Sequence, residues 1–284
     1  MKKLFNKLTL SGRKTTLADG TIVIKPVSYT WFYLGVLIAL VIFFYQFIIG
    51  RYFQAISFQF FLSRIPNFFT ILESMVTSFD LNYLPNIINP LLDTIKMAII
   101  GTLLGSFLAL PVAFLASQNI MNQRLMTFLV KGFLSFIRTL PSILYALIFA
   151  FIFGYGTFVG ALSLTVFTFA ISTKLLYEQI ETLDLGAFQA IQSGGATKAQ
   201  AFAVGILPQI YGQFISNTLY SFEINMRYSA ILGFVGAGGI GILLNDAMSL
   251  RDYGKVSIML VGFLCIVLLT EQLSKYIRKR LGQS

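Results

Sequence analysis

Arg138, Glu223 and Arg227 stand inside long apolar runs of this sequence. A charge at the centre of a bilayer costs about 2.5–3.5 kcal/mol on insertion scales, so such groups face a bundle interior or a water-filled path. A guanidinium fork matches two oxygens of a phosphate or phosphonate at once. Arg138 and Arg227 are therefore candidate contacts for an anion in transit. Glu223 lies four residues before Arg227, the favoured order for an ion pair on one helix face. The alternative is thus a structural pair, with Glu223 neutralising Arg227 and Arg138 satisfied by carbonyls or reaching the surface. Asn225 falls on a different face of the same helix.

Other site chemistry is sparse. The chain has no histidine, and Cys265 is its one cysteine, set in an apolar run. That excludes an internal disulfide and any His- or Cys-based metal or catalytic centre. A Gly-x-Gly-x-x-Gly pattern can be read at 236–241, but no strand precedes it, so it is not a dinucleotide fingerprint. No Gly-x4-Gly-Lys-Ser/Thr phosphate loop occurs. The chain is expected to have no catalytic, metal or cofactor site, and any ATP must be bound and hydrolysed by a partner.

The elements that position these groups are membrane helices. Of 284 residues, 56% are hydrophobic, 15% aromatic and only 11% charged, against about 25% charged in a soluble domain. The fold class expected is an all-α integral membrane protein with about six spans. These are placed at Trp31–Ile49, Thr94–Ser117, Thr127–Phe153 (Pro141 inside it), Thr157–Leu176, Gln209–Phe234 and Val256–Leu273. The first run is about long enough to cross and has no small-residue cleavage pattern after it, so it reads as a retained helix. Residues 51–92 contain Pro66, Pro85 and Pro90 and read as short interfacial helices, with Phe58, Phe60, Phe61, Phe68 and Phe69 on an apolar face.

The net charge of +10 fits a positive-inside bias better than nucleic-acid binding. Lys2, Lys3, Lys7, Arg13, Lys14 and Lys25 precede the first span; Lys275, Arg278, Lys279 and Arg280 follow the last. Both termini are therefore expected in the cytoplasm of a multi-pass protein of the cell membrane, which requires an even number of spans. The organisation expected is a cytoplasmic segment 1–30, a first helix with its extracytoplasmic segment over 31–92, and a core over 93–280.

One connector stands out. Residues 178–208 should lie in the cytoplasm, and about 30 residues is long for a link between helices. Asp184 can cap a short helix over 186–193. Gly194-Gly195 breaks it. Thr197 and Gln200 have capping-box spacing for a second short helix, and Leu207-Pro208 closes the connector. Ala187, Ala190 and Ile191 share one small apolar face, suited to a groove on another protein. Farther on, Gly233, Gly236, Gly238, Gly239 and Gly241 weaken the end of the fifth span. They fit either close helix packing or a flexible turn, with Gly236, Gly238 and Gly239 as an outer gate.

The connector resembles the signature of bacterial ABC-importer permeases: Glu-Ala-Ala, three residues, Gly, nine residues, an aliphatic residue, one more, then Leu-Pro. Ala190, Gly195, Leu207 and Pro208 match it. Gln189 stands at the Glu position, Ile191 at the third position and Gly205 at the aliphatic one. Outside it, Arg138-Thr-Leu-Pro-Ser142, Glu223-Ile-Asn-Met-Arg227 and Val235-Gly-Ala-Gly-Gly-Ile-Gly241 are similar to the phosphonate-uptake permeases of that superfamily. So are Pro90-Leu-Leu-Asp-Thr-Ile-Lys96 and Ala109-Leu-Pro-Val-Ala113.

The resemblance implies the fold of a type I importer permease, with Ala187, Gln189, Ala190, Ile191, Gly194, Gly195, Leu207 and Pro208 coupling to an ATPase. With Gln189 in place of Glu, docking leans on packing. The implied partners are ABC ATPase subunits, an extracytoplasmic substrate-binding protein and a second permease copy. The implied cargo is phosphonate, with phosphite, phosphate esters, amino acids or vitamins as alternatives. A secondary transporter should show inverted repeats or paired carboxylates; the sequence reads as having no repeat and one intramembrane carboxylate, Glu223.

Overall fold

The computed structural model describes residues 13–16, 22–25, 30–52, 58–121 and 123–281. Lys2, Lys3 and Lys7 lie outside them. The chain divides into two units, residues 1–70 and 71–284.

In the first unit, Arg13–Thr16 (β1) and Ile22–Lys25 (β2) form an antiparallel ribbon with Thr15 opposite Val23. It is the one departure from helix among the described elements, and β-branched residues on both strands favour it. Helix α1, Thr30–Tyr52, coincides with the first expected span. Helix α2, Phe58–Thr77, crosses the unit boundary. Of the short helices expected over 51–92, residues 58–77 are one helix of 20 residues with Pro66 inside it, and Leu81–Tyr83 is a single 3-10 turn. Phe60, Phe61, Phe68 and Phe69 are all exposed, as an apolar face requires.

In the second unit, α3 covers Leu84–Ala116 and starts ten residues before the expected span. Pro85 lies in its first turn, where the missing N–H has no helical partner to lose. Ile87 and Leu91 are buried against Ile240, Val256 and Met259, and this packing fixes the early turns. Pro90 does not stop the helix, and its carbonyl accepts the Thr94 hydroxyl at 2.8 Å.

The third expected span is two helices, α4 (Arg124–Thr139) and α5 (Ser142–Phe153), bent by 87°. Leu140 takes an extended conformation (φ −88°, ψ 129°) because the ring of Pro141 disfavours helix before it. The Tyr145 hydroxyl donates to the Ile137 carbonyl across the bend at 2.6 Å. Helix α6 runs Thr157–Thr182 and packs along α3. Small residues permit this: a Cβ on Gly101 would lie 2.5 Å from Leu164 Cβ, and one on Gly105 would lie 2.7 Å from the Thr165 carbonyl. Close backbone approach of this kind drives helix association in lipid.

After the connector come α9 (Leu207–Gly233), α10 (Ile240–Ser249) and α11 (Tyr253–Leu281); α7 and α8 belong to the connector itself. Among the described residues, three helical stretches are long and apolar enough to cross a membrane: 81–116, 157–182 and 253–281. The bent α4–α5 pair makes a fourth if it counts as one span. Helix α9 has 27 residues, enough to cross, but its most apolar stretch is less apolar than theirs.

Candidate functional site

The connector folds as its residues direct. Asp184 Oδ1 accepts the Gly186 N–H at 2.9 Å just ahead of α7, Gly186–Ser193, whose cap residue is Leu185 and not the expected Asp184. Gly195 then takes φ +91°, the left-handed region that costs a side chain energy and glycine little. Thr197 and Gln200 form a reciprocal capping box on α8, Lys198–Ala201. Residues Phe202–Ile206 form a π turn, and Leu207-Pro208 begins α9 with Pro in its first turn.

Ala187, Gln189 and Ala190 lie exposed on α7. Ile191 does not join them: it is half-buried and packs inward with Phe188, so its place on the docking face is corrected. The cause is Phe188, 3% exposed, whose burial turns the helix. Neither Phe188 nor the role of Gly205 was read from the sequence. A Cβ on Gly205 would lie 3.2 Å from the Phe188 N and Cα, so the backbone of α7 rests on that glycine. The aliphatic position of the motif is glycine here because α7 occupies the space. Gly205→Val is expected to lift α7 and abolish ATP-driven uptake, with the melting temperature of the α3–α6 core within a few degrees of wild type. A bulky residue at Gly195 meets open space and pays only for its φ, so Gly195→Val is expected to weaken coupling less.

The base of the connector is fastened to the α3–α4 loop. Glu181 Oε1 accepts the Gln118 N–H at 2.8 Å and pairs with Lys131 at 2.7 Å. Asn119 donates to the Ile180 carbonyl and Lys198 to the Ile120 carbonyl, at 2.8 and 2.9 Å. These links join residues 50 or more positions apart, so spacing in the sequence gave no sign of them.

The charges in the helices are paired differently from the expectation. Glu223 does not neutralise Arg227; it accepts from Arg278 of α11 at 2.5 Å. Arg227, half-exposed, makes only a long 3.9 Å approach to Glu271, which already holds Lys275 at 2.6 Å. Glu271 is a second carboxylate within the sixth expected span, overlooked in the sequence. Arg138 stands at the last turn of α4, where its Nε donates to the Leu134 carbonyl at 3.3 Å. It makes no ion pair among the described residues. Asn225, fully buried on the opposite side of α9, donates to the hydroxyls of Thr102 and Thr168, both at 2.7 Å, and so joins α3, α6 and α9.

The glycine stretch forms the turn between α9 and α10. Gly236, Gly238 and Gly239 all have positive φ. A Cβ on Gly236 would enter the Tyr155 ring, one on Gly238 would lie 2.7 Å from Thr157, and one on Gly239 2.5 Å from Thr94. Gly156 N–H donates to the Gly236 carbonyl and Ile240 N–H to Thr94 Oγ1. Of the two roles expected, close packing is what this geometry displays. Past α10, Arg251 turns the chain with φ +56°. Asp252 opens α11, and the hydrogen bonds it takes from Lys255 hold its carboxyl below the usual range.

A long helical chain with a short exposed helix on a fastened connector has the form of a membrane transport subunit. The chain belongs to the family of binding-protein-dependent transport system inner membrane components, with residues 101–283 matched. It is an ABC-importer permease subunit, a multi-pass membrane protein that works with separate ATPase and substrate-binding proteins. It is 33% identical over 192 residues to the phosphite transport system permease PtxC of Stutzerimonas stutzeri, covering 68% of this chain and 70% of that one. It is 32% identical over 176 residues to the phosphate-import permease PhnE of Mycolicibacterium smegmatis, covering 62% of this chain and 32% of that one. The inward-facing MetNI methionine transporter has a chain of the same fold: TM-score 0.62 at 20% identity, over 72% of this chain and 99% of that one.

Proposed function

We propose that this permease carries phosphonate, phosphite or a closely related small oxyanion into the cell. The observation that carries the importer mechanism is the connector: α7 offers a small exposed face and rests backbone-on-backbone upon Gly205. The substrate class is supported by the phosphite and phosphate relatives and by Arg227, the one cation of α9, whose carboxylate partner Glu271 stands 3.9 Å away.

In this reading both termini and the connector are cytoplasmic, as the positive-inside bias favours. Ala187, Gln189 and Ala190 meet the ATPase, which binds ATP, while Gly194, Gly195, Leu207 and Pro208 set the angle of α7. Two copies of the chain close one path. Arg138 and Arg227 face the anion, and Glu223 holds Arg278 in the wall. The Gly236–Gly239 turn keeps the outer mouth shut until α9 and α10 move. The binding protein docks on that side.

The test is uptake into membrane vesicles containing the complete transporter, with ATP inside and the loaded binding protein outside. Labelled phosphite or methylphosphonate is expected to accumulate, and glutamine or methionine is not. Accumulation of the amino acids alone would overturn the substrate class; uptake without ATP would overturn the mechanism. Arg227→Gln is expected to lower oxyanion uptake at least about tenfold, the equivalent of about 1.4 kcal/mol. Arg138→Gln is expected to lower it less, because Arg138 already donates to a carbonyl. Wild-type rates in both folded variants would remove the arginines from the path.

A further inference from the structure

Exposed side chains in this protein have two chemistries. On α3 the exposed residues include Leu103, Leu104, Phe107 and Leu108; on α11 they include Val261, Leu264, Leu268 and Leu269. Those surfaces suit lipid tails. Helix α9 differs. Gln213, Tyr220 and Arg227 are exposed and Asn217 is half-buried. At about 100° per residue, positions 213, 217, 220 and 227 fall within about 40° of a common line, which Ile224 and Ile231 also share. Asn225 and Ser229, both fully buried, lie on the other side. The stripe thus faces away from α3 and α6, the helices that cover the buried side. The Gln213 side chain donates to Asn217 at 3.0 Å, so the stripe meets part of its hydrogen-bonding need along itself.

A polar stripe of this length against lipid leaves amide, phenol and guanidinium groups without partners, at a cost of several kcal/mol. We infer that Gln213, Asn217, Tyr220 and Arg227 line the water-filled path, with Asn217 and Tyr220 as stations that an oxyanion passes on its way to or from Arg227. This rests on the transport reading above and names the wall that reading leaves open. The charge balance supports an anion. Arg227, Lys275 and Arg278 oppose Glu223 and Glu271, three positive groups to two negative, and Arg227 has the longest pairing distance of the group. Tyr220 is two helical turns, about 10 Å, from Arg227, near enough to feel its field.

Cys265 is the only native thiol of the chain, so a Cys265→Ser background reports on single introduced cysteines. Asn217→Cys and Tyr220→Cys are compared with the apolar positions Leu264→Cys and Leu103→Cys in the full transporter in membrane vesicles. The probes are water-soluble methanethiosulfonates bearing a sulfonate or an ammonium group, read as the mass shift of this chain after purification. The stripe cysteines are expected to react at least about tenfold faster than the apolar pair. At Tyr220→Cys the anionic reagent is expected to lead the cationic one severalfold, and Arg227→Gln to erase that lead. Stripe cysteines as slow as the apolar pair, or cross-linked between copies while closed to the reagents, would overturn the inference. So would a cationic preference. Labelling needs no substrate, so failed oxyanion uptake with intact labelling would sink the substrate class and leave the path standing.

Discussion

Gly105→Leu is expected to yield almost no folded permease. A Cβ at this position would lie 2.7 Å from the Thr165 carbonyl, 2.7 Å from Thr168 Cβ and 2.9 Å from the Phe169 N. Two of these three atoms are backbone, so no rotamer change relieves the contact. Overpacking of a close-packed core costs about 1–3 kcal/mol even where side chains can shift; here α3 and α6 must separate along their shared face. Separation also breaks the reach of Asn225 to Thr102 and Thr168, one partner on each helix. Gly132→Leu is the control, since nothing lies within 4 Å of the Cβ it adds. The check is monodispersity and thermal unfolding in detergent. Gly132→Leu should match wild type, and Gly105→Leu should aggregate or melt far below it. Equal melting of the two would show that α3 and α6 do not pack at this glycine.

The second large effect concerns the ion pair between α9 and α11. Glu223→Gln leaves the Arg278 guanidinium three-quarters buried with its carboxylate gone. Breaking a fully buried pair costs about 3–5 kcal/mol. Arg278 keeps a quarter of its side chain exposed, so water offsets part of that and a loss of about 2–3 kcal/mol is expected. Removing both charges, in Glu223→Gln with Arg278→Gln, should recover most of the stability. Glu223→Gln with Arg227→Gln should not. The sequence spacing of 223 and 227 favours the opposite result, so a double-variant cycle on thermal unfolding separates the two pairings. Rescue by Arg227→Gln would restore the pair within α9.

The legibility of the fold follows from where its energies are local. Long apolar runs fix helices whatever their neighbours, because every backbone group in lipid must be satisfied within the segment. Thus α1, α6, α9 and α11 lie close to their expected positions. Caps and turns are also local. Thr197–Gln200 and the break at Gly195 were both readable from short-range chemistry. The Gly101–Gly105 spacing is an equally local close-packing motif, as short in range as the glycines at 233–241. The start of α3 was missed because its neighbours decide it, whereas the 87° break after α4 follows locally from Pro141, which the third expected span already contained. Ile87 and Leu91 hold a helix start that Pro90 argues against, and the Tyr145 bond braces the bend.

The site divides in the same way. Residue types and spacing along the chain determined that there is an exposed connector with a glycine break, a Leu-Pro helix start, and arginines placed where only a polar setting makes them tolerable. Only the tertiary structure decided which carboxylate holds which arginine, that Phe188 turns Ile191 inward, and that Gly205 is the seat of α7. The physical reason is reach. A cap or a turn acts within four residues, whereas the Glu223–Arg278 contact spans 55 positions and the Asn225–Thr102 bond 123. Contacts of that separation exist only once the helices have packed.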